Sequence, residues 1–297
     1  MIMHKNLNVA LFIGNDITSH LIASKTALDL LNKGHNPCLI YVHKDPNRKA
    51  LADLKQLEFW ERTVWHTVLF PQISKLNIST SEYLTPQQWQ AKIMVATVDN
   101  VNSTGLLDFL KAENISVGVS LRCYQKFGPD IIQYFQAIEP YKGLNFVNLH
   151  PGFLPNYRGV LTFAHAMLNK DIAAGFTLHS IDQNWDAGPI LGQTDLNLDY
   201  SSCVISNMIN HVEPATELLI SHIEKIANKI QILAKKQNQK QAKYYTHMTQ
   251  TELSRFAEQK LTLMEADKLA SKILNDYFGL TKRQAKTSLE IVQNKFN

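Results

Sequence analysis

Short apolar runs alternate with helical patterns through the first part of the chain. Asn8–Ile13 is apolar and ends at a Gly-Asn pair, which predicts a buried strand followed by a turn. The next segment has apolar residues at helical intervals, with Thr18 or Ser19 as the expected N-cap and Gly34 as the stop. Cys38–Val42 is again a strand pattern. A strand, a helix and a strand in so short a span predict a parallel βαβ crossover.

Elements of the same kind continue to about residue 200. Helices are predicted from about Lys49 to Trp65 and over Thr104–Ala112, the latter with Ser103 as N-cap. Further strands are predicted at Ile93–Val98, Ile115–Leu121, Phe146–Leu149 and Ala174–Ile181. The alternation predicts an α/β fold with a doubly wound, mainly parallel, Rossmann-like sheet. Ligands of such sheets bind at the carboxyl ends of the strands.

The character of the chain changes beyond Asp199. Val204–Leu233 has a helical pattern, in which Pro214 is expected to cause a kink or a split. The polar stretch Lys235–Lys243 is a predicted linker, and Met248–Asn297 is charged and mostly helical in pattern. We therefore expect a catalytic domain over residues 1–200 and a helical C-terminal region over residues 201–297.

Composition narrows the function classes. The 297 residues carry 30 Lys and Arg against 26 Asp and Glu, and this net charge of +4 is too small to indicate nucleic-acid binding. Cys38, Cys123 and Cys203 lie far apart and lack CxxC spacing, so neither a disulfide framework nor a zinc site is predicted. No apolar stretch reaches about 18 residues, so we expect a soluble, cytoplasmic protein without a membrane segment.

The densest chemical signal is the segment that begins at Asn148. Asn148 and His150 alternate at the end of a predicted strand, so both side chains point to the same face. The strand then enters a loop stiffened by two prolines and closed by Gly159. An amide donor and an imidazole that project into one crevice suit a developing oxyanion. A core histidine and a turn asparagine are the alternative reading of Asn-x-His alone.

A second signal lies in the loop that carries Asp186. The Asp-Ala-Gly-Pro sequence follows a predicted strand, and a carboxylate there can reach an imidazole on a neighbouring strand. It would orient His150 and favour the protonated imidazole. Alone, this sequence is an ordinary turn. Nothing in either segment offers a metal-ligand cluster, so no metal is predicted.

Together the two segments resemble the folate-dependent formyltransferases, which include glycinamide ribonucleotide, methionyl-tRNA and amino-sugar formyltransferases. In that family an Asn-x-His-Pro-x-x-Leu-Pro segment is followed by Asp-x-Gly-Pro, as here from Asn148 and from Asp186. The resemblance spans roughly residues 8–196 and implies a Rossmann-like formyltransferase fold with N10-formyltetrahydrofolate as donor. It implies that Asn148 stabilises the oxyanion, protonated His150 adds charge stabilisation, and Asp186 orients His150 and helps to accept the amine's proton.

The resemblance also implies where the folate binds. In the family, a loop before the Asn-x-His strand presents backbone groups to the pterin, and here that loop begins at Arg122. Members of the family often have Arg-Ile-Leu where this chain has Gln-Lys-Phe. Trp185 is expected to close the other side of the pterin. The predicted folate-binding residues are Arg122, Tyr124, Gln125, Lys126, Phe127 and Trp185.

The acceptor is inferred from features that are missing. A single glycine after the first strand disfavours the purine-pathway substrate, and a helical tail of mixed charge disfavours tRNA. The chain is therefore most similar to nucleotide amino-sugar N-formyltransferases, which are commonly dimers. Arg158 is a candidate to pair with an acceptor phosphate, with Tyr157 beside it as a second substrate-binding candidate. A structural or surface ion pair is an equal alternative for Arg158.

Other functions with the same motifs stay open. Formylation of a hydroxyornithine-like amine or of glycinamide ribonucleotide uses the same chemistry. A formyltetrahydrofolate hydrolase shares the three catalytic residues but usually begins with a regulatory domain, whereas this chain enters its first strand almost at once. A protein that binds folate without turnover would tolerate loss of those residues, yet all three are present.

Overall fold

The apolar runs form strands in the computed structural model, which describes residues 6–43, 51–76, 78 and 81–296. The strands are β1 (Asn8–Gly14), β2 (Asn36–Val42), β3 (Val95–Val98), β4 (Val117–Leu121), β5 (Phe146–Pro151), β6 (Arg158–Gly159), β7 (Ala173–Ala174), β8 (Phe176–Ser180), β9 (Ile190–Gln193), β10 (Leu196–Asn197) and β11 (Tyr244–Tyr245). Seven of them form one sheet in the order β3-β2-β1-β4-β5-β8-β9. The first five strands in this order pair in parallel, whereas β8 pairs antiparallel with both β5 and β9. The predicted mainly parallel, doubly wound sheet is confirmed.

Helices follow the strands as the pattern predicts. They are α1 (Ile17–Asn32), α2 (Ala52–Glu58), α3 (Phe70–Ile73), α4 (Pro86–Gln90), α5 (Thr104–Ala112), α6 (Pro129–Gln136), α7 (Thr162–Leu168), α8 (Val204–Ile209), α9 (Val212–Ala227), α10 (Gln250–Glu258), α11 (Ala266–Asp276) and α12 (Lys282–Phe296). The predicted Ser103 cap is confirmed, because its side chain accepts a hydrogen bond from the backbone N–H of Leu106.

The two faces of the sheet belong to two separate hydrophobic cores. Alternate residues of β1 point to opposite faces, so Leu11 and Ile13 enter one core while Ala10 and Phe12 enter the other. Side chains of α1, α9 and α11 complete the first core, and side chains of α5 and α6 complete the second. This double cover explains why the central strands are apolar on both faces.

The N-cap of the first helix lies two or three residues before the predicted position. Asp16 is the N-cap, and its carboxylate accepts hydrogen bonds from the backbone N–H and the hydroxyl of Ser19 at 3.0 and 2.8 Å. The prediction that Thr18 or Ser19 caps the helix is therefore wrong. A carboxylate satisfies the free N–H groups and also matches the positive end of the helix dipole.

The helix predicted from Lys49 to Trp65 runs further than expected. Its predicted start lies outside the described residues, and α2 continues through two π-helical turns, Phe59–Thr63 and Trp65–Leu69, into α3. Trp65, the predicted end, is fully buried in the main core, and the chain stays helical beyond it. The helical segment ends only after Ile73.

Pro214 does not kink a helix. The predicted Val204–Leu233 helix is instead split at Asn210 and His211, and α9 starts at Val212. Pro214 therefore lies in the first turn of α9. Backbone N–H groups there have no acceptor within the helix, so the absence of an N–H in proline costs no helical hydrogen bond. The second helix ends at Ala227, so the last residues of the predicted helix are not helical.

The C-terminal region shares the main core with the sheet. Leu269 and Ile273 of α11 are buried in the same cluster as Leu21 of α1, so the apolar face of this helix packs into the core. The predicted linker is tied to the sheet as well, since Lys235 forms a bridge with Ile190. The division into residues 1–200 and 201–297 stays a prediction. Among the described helices, none is long and apolar enough to cross a membrane.

The shared core generates a stability prediction. Replacing buried Ile273 with Ala should lower the free energy of unfolding by about 2–5 kcal/mol, because it leaves a cavity in the main core. The matched change at Ile291 of α12, whose side chain is 43% exposed, should cost less than about 1 kcal/mol. Urea denaturation followed by circular dichroism measures both. Equal losses in the two variants would show that α11 does not belong to the core.

Candidate active site

A large cavity opens at the carboxyl ends of the parallel strands. Its volume is about 960 Å³, and it lies between the loop after β4, the end of β5 and the loop between β8 and β9. Helices α2 and α8 supply further walls. Its position matches the expectation for a doubly wound sheet, where ligands bind beyond the carboxyl ends of the strands.

Asn148 and His179 face each other across the pairing of β5 with β8. The two residues are direct neighbours in this antiparallel register, and Asn148 Nδ2 lies 3.1 Å from His179 Nε2. His179 Nδ1 lies 2.9 Å from the carbonyl oxygen of Ser180, so Nδ1 carries the proton and Nε2 accepts from Asn148. Burial lowers the pKa of His179 to about 4, although the nearby Asp186 carboxylate acts in the opposite direction. The lowered pKa keeps the ring neutral. The amide of Asn148 is thereby fixed in orientation.

His150 is held at both ring nitrogens. Its Nε2 lies 2.6 Å from the carbonyl oxygen of Tyr157 and donates to it, while its Nδ1 lies 3.4 Å from Asp186 Oδ1. The side chain is only 3% exposed, and it lines the cavity together with Asn148. Both nitrogens face hydrogen-bond acceptors, an arrangement that suits the imidazolium, whose two nitrogens both donate.

Asp186 is held by two hydrogen bonds and lies beside His179. Its Oδ2 accepts a hydrogen bond from the backbone N–H of Gly159 at 2.9 Å, and its Oδ1 lies 3.9 Å from His179 Nε2. Its backbone has a φ of 51°, in the left-handed region. The side-chain amide of Gln237 donates to the carbonyl oxygen of Asp186 at 2.9 Å. The structure therefore brings Asn148, His150 and Asp186 together around one wall of the cavity.

The loop after β4 is fixed by a buried charge network. Arg122 Nη1 contacts Asp16 Oδ1 at 2.7 Å and Glu61 Oε1 at 2.9 Å, and the hydroxyl of Tyr124 donates to Asp16 Oδ2 at 3.0 Å. The guanidinium of Arg62 lies 4.0 Å above the centre of the Tyr124 ring. Arg122 and Tyr124 line the cavity, but their polar groups serve this network.

The next two residues of the loop are tied to neighbouring strand ends. The amide of Gln125 donates to the carbonyl oxygens of His43 and Asp99 at 3.0 and 2.6 Å. The side chain of Lys126 is exposed at the cavity, while its carbonyl oxygen accepts from Asn102. The Gln-Lys-Phe departure from the family's triplet thus gives this loop a polar attachment to the ends of β2 and β3.

Phe127 and Trp185 differ sharply in exposure. Phe127 is 5% exposed and packs edge-on against Phe12 and Phe146, so most of its ring belongs to the second core. Trp185 is 45% exposed and lies at the cavity beside Asp186. An exposed indole is an apolar surface available to a flat ligand.

The two predicted substrate-binding side chains are engaged elsewhere. Arg158 donates from Nε and Nη2 to Gln237 Oε1 at 3.1 and 2.7 Å, and from Nη1 to Gln239 Oε1 at 3.0 Å. Tyr157 stacks on Tyr245 with 5.0 Å between ring centres, and its hydroxyl is hydrogen-bonded within the protein. Among the described residues, neither side chain lines the cavity. Only the carbonyl of Tyr157 contacts a predicted catalytic residue.

Several cavity residues were not predicted from the sequence. Tyr244 and His247 follow the predicted linker and reach the cavity because β11 pairs with β6. This pairing needs the close approach of Gly159, where an added Cβ would lie 2.0 Å from the carbonyl oxygen of Tyr245. Met208 of α8 also lines the cavity. The Tyr-Tyr-Thr segment is a weak signal for these contacts, because it is an aromatic pair in a polar stretch.

The part of the chain that contains Asn148, His150 and Asp186 matches a known family. Residues 107–223 match the family model described as Formyl transferase. The chain is 33% identical over 131 residues to GDP-perosamine N-formyltransferase of Brucella melitensis biotype 1, covering 39% of this chain and 50% of that protein. It is 35% identical over 106 residues to methionyl-tRNA formyltransferase of Roseiflexus sp., covering 36% of this chain and 30% of that protein. The chain thus spans half the length of the Brucella relative and less of the Roseiflexus one.

A solved structure extends the likeness of fold to most of the chain. The N-formyltransferase from Helicobacter canadensis, in complex with folinic acid and dTDP-3-aminofucose, superposes with a TM-score of 0.54 at 17% identity. The superposition covers 88% of this chain and 85% of that one. At this level of identity the likeness concerns the fold, and the predicted formyltransferase fold is confirmed.

The neutral His179 generates a prediction for pH dependence. Its pKa of about 4 lies below the ordinary 6.5, so between these values the unfolded chain binds a proton that the native state does not. The contribution of His179 therefore makes the free energy of unfolding fall as the pH drops from 6.5 towards 4. Urea denaturation across this range should show a shallower loss for His179→Gln than for the wild type. An equally steep loss in the variant would contradict a buried neutral ring.

Proposed function

We propose that the protein, whose residues 107–223 match the family model described as Formyl transferase, transfers a formyl group from N10-formyltetrahydrofolate to the primary amine of a nucleotide-linked amino sugar. The observation that carries this proposal is the convergence of Asn148, His150 and Asp186 on one large cavity. In the reaction the amine nitrogen bonds to the formyl carbon, and the bond from that carbon to N10 breaks. The proton lost by the amine balances the proton gained by N10.

Asn148 is the proposed donor to the oxyanion that forms during attack. One N–H of its amide is directed at His179 Nε2, which leaves the second N–H of the same nitrogen for the substrate. Because neutral His179 can only accept at Nε2, the amide cannot turn its oxygen towards that ring without losing the bond. A donor fixed in advance stabilises developing charge more effectively than one that must reorient.

His150 is the proposed source of positive charge beside the oxyanion. Its Nε2–H is directed at the carbonyl of Tyr157, and its Nδ1 faces Asp186 at 3.4 Å. The protonated ring satisfies both of these acceptors at once, so it needs no rearrangement when the oxyanion forms. Since the ring is 3% exposed, its charge is weakly screened by solvent.

Asp186 has two proposed tasks. Its carboxylate holds His150 in place, and it lies at the cavity, where it accepts the amine's surplus proton through water. The hydrogen bond from the N–H of Gly159 fixes one oxygen, Oδ2, so that Oδ1 is directed towards the imidazoles of His150 and His179. A carboxylate between two imidazoles can take up a proton while its neighbours stay in position.

The folate donor is proposed to bind between the loop after β4 and Trp185. The network of Arg122 with Asp16 and Glu61 gives that loop a fixed shape, so its backbone groups are held in position to hydrogen-bond the pterin. Trp185 offers an exposed aromatic face on the opposite side. The solved relative from Helicobacter canadensis was crystallised with folinic acid, a formylated folate, which supports a donor of this class.

The acceptor is proposed to be a nucleotide-linked amino sugar. The Brucella relative is a GDP-perosamine N-formyltransferase, and the Helicobacter relative binds dTDP-3-aminofucose. A cavity of about 960 Å³ lies at the upper end of the range for ligand sites, as a site for two substrates requires. The predictions of a homodimer and of a cytoplasmic location stay part of this proposal, and sedimentation equilibrium measures the former.

The proposed chemistry is tested by mixing the protein with N10-formyltetrahydrofolate and following tetrahydrofolate release. The acceptors are GDP- and dTDP-linked amino sugars, glycinamide ribonucleotide, hydroxyornithine, methionyl-tRNA and none. We expect release that depends on one amino sugar and falls about 100- to 1000-fold in Asn148→Ala, because an oxyanion donor is lost. His150→Ala should lose at least as much.

The matched control is Asn36→Ala. Asn36 is exposed at the opposite end of β2 and hydrogen-bonds Asn8, so its loss should leave turnover unchanged. Equal release without any amine would replace the transferase proposal with a hydrolase. Release that requires methionyl-tRNA would replace the acceptor class, and no release with any acceptor would reject the proposed activity for this panel.

A further inference from the structure

Gln237 is a buried polar residue in the middle of the polar stretch Lys235–Lys243. Gln237 is 8% exposed, whereas the Lys and Gln residues around it are exposed. The amide nitrogen donates to the carbonyl oxygens of Asp186 at 2.9 Å and Gly188 at 2.7 Å. The amide oxygen accepts from Arg158 Nε and Nη2. Both N–H groups and the oxygen of this amide are thus used.

The two carbonyls belong to a turn that contains a left-handed residue. Asp186 adopts a φ of 51°, a region that is uncommon for residues other than glycine, although Asp enters it more readily than most. An added Cβ at Gly188 would lie 1.9 Å from the carbonyl oxygen of Ser180, so the turn lies tightly against β8. The hydrogen bonds from Gln237 satisfy two carbonyls of this turn and oppose its relaxation.

Arg158 determines which way the amide of Gln237 faces. A guanidinium only donates, so its two contacts require the amide oxygen on the Arg158 side. The amide nitrogen must then face the Asp186 turn. The next residue, Gly159, donates its backbone N–H to Asp186 Oδ2. Residues 158 and 159 therefore fix the turn twice, once through Gln237 and once directly.

We propose that Gln237, oriented by Arg158, is a positioning residue that holds the carboxylate of Asp186 against His150 and Gly159 for formyl transfer. This inference rests on the proposed function for its kinetic consequence, and on the contacts above for its structural one. It assigns Arg158 to the support of the Asp186 turn. It also places a residue of the C-terminal region in the support of the site.

Three variants separate positioning from general support of the segment. Gln237→Leu removes every polar contact, whereas Gln237→Glu keeps an acceptor for Arg158 but has no N–H for the Asp186 turn. The matched control Gln239→Leu removes a contact to Arg158 only. We expect kcat and kcat/KM to fall together by about 10- to 100-fold in both Gln237 variants, as misplacement of a catalytic group predicts. The control should retain the wild-type values.

Amide hydrogen exchange at Gly159 tests the positioning without any turnover. Its N–H donates to Asp186 Oδ2, so a displaced carboxylate should speed exchange by about two- to tenfold in both Gln237 variants and not in the control. If the wild type transfers no formyl group, the proposed function fails and this measurement still decides the positioning. If Gln237→Leu does not fold, Gln237→Glu carries both readouts.

The outcomes that overturn the proposal are specific. Wild-type kcat in Gln237→Glu would mean that only the contact to Arg158 matters. An equal loss of kcat in Gln239→Leu would mean that the whole segment is merely structural. Unchanged exchange at Gly159 in both Gln237 variants would show that the carboxylate of Asp186 does not depend on Gln237, whatever the kinetics.

Discussion

Asn148 and His179 lie opposite each other because β8 runs antiparallel to β5, the last of the parallel strands in the sheet. A shift of one residue in this register would turn one of the two side chains to the other face and break their contact. The same pairing carries the chain from His179 into the turn that holds Asp186. The convergence of the three side chains therefore depends on one stretch of strand pairing.

Near this pairing, buried polar side chains form hydrogen bonds and ion pairs mainly with one another. Asp16 caps α1 and also receives Arg122 and Tyr124, so one carboxylate links the start of the first helix to the loop after β4. Such a network is stable only when every member is paired, because an unpaired buried charge is costly. Its consequence is a loop of fixed shape beside a cavity with room for ligands.

The C-terminal region completes the site as well as the core. The pairing of β11 with β6 brings Tyr244 and His247 to the cavity, and Gln237 reaches the Asp186 turn from the same segment. Segments with so few apolar residues give no sign of burial in a hydropathy pattern. Their contribution comes through hydrogen bonds, which depend on where the chain passes.

Local and periodic features were determined by the sequence itself. The apolar runs predicted the strands, and Ser103 marked the start of α5 as its N-cap. The alternation of Asn148 with His150 placed both side chains on one face of β5. The partners of Arg122, Arg158 and Gln237 could not be predicted in this way, because each partner lies between about 50 and 110 residues away in the chain. A side chain's chemistry is written in the sequence, but whether it meets a substrate or another side chain depends on tertiary packing. Only the fold decided that Arg158 supports a turn and that Asp16, besides capping the first helix, pairs with Arg122.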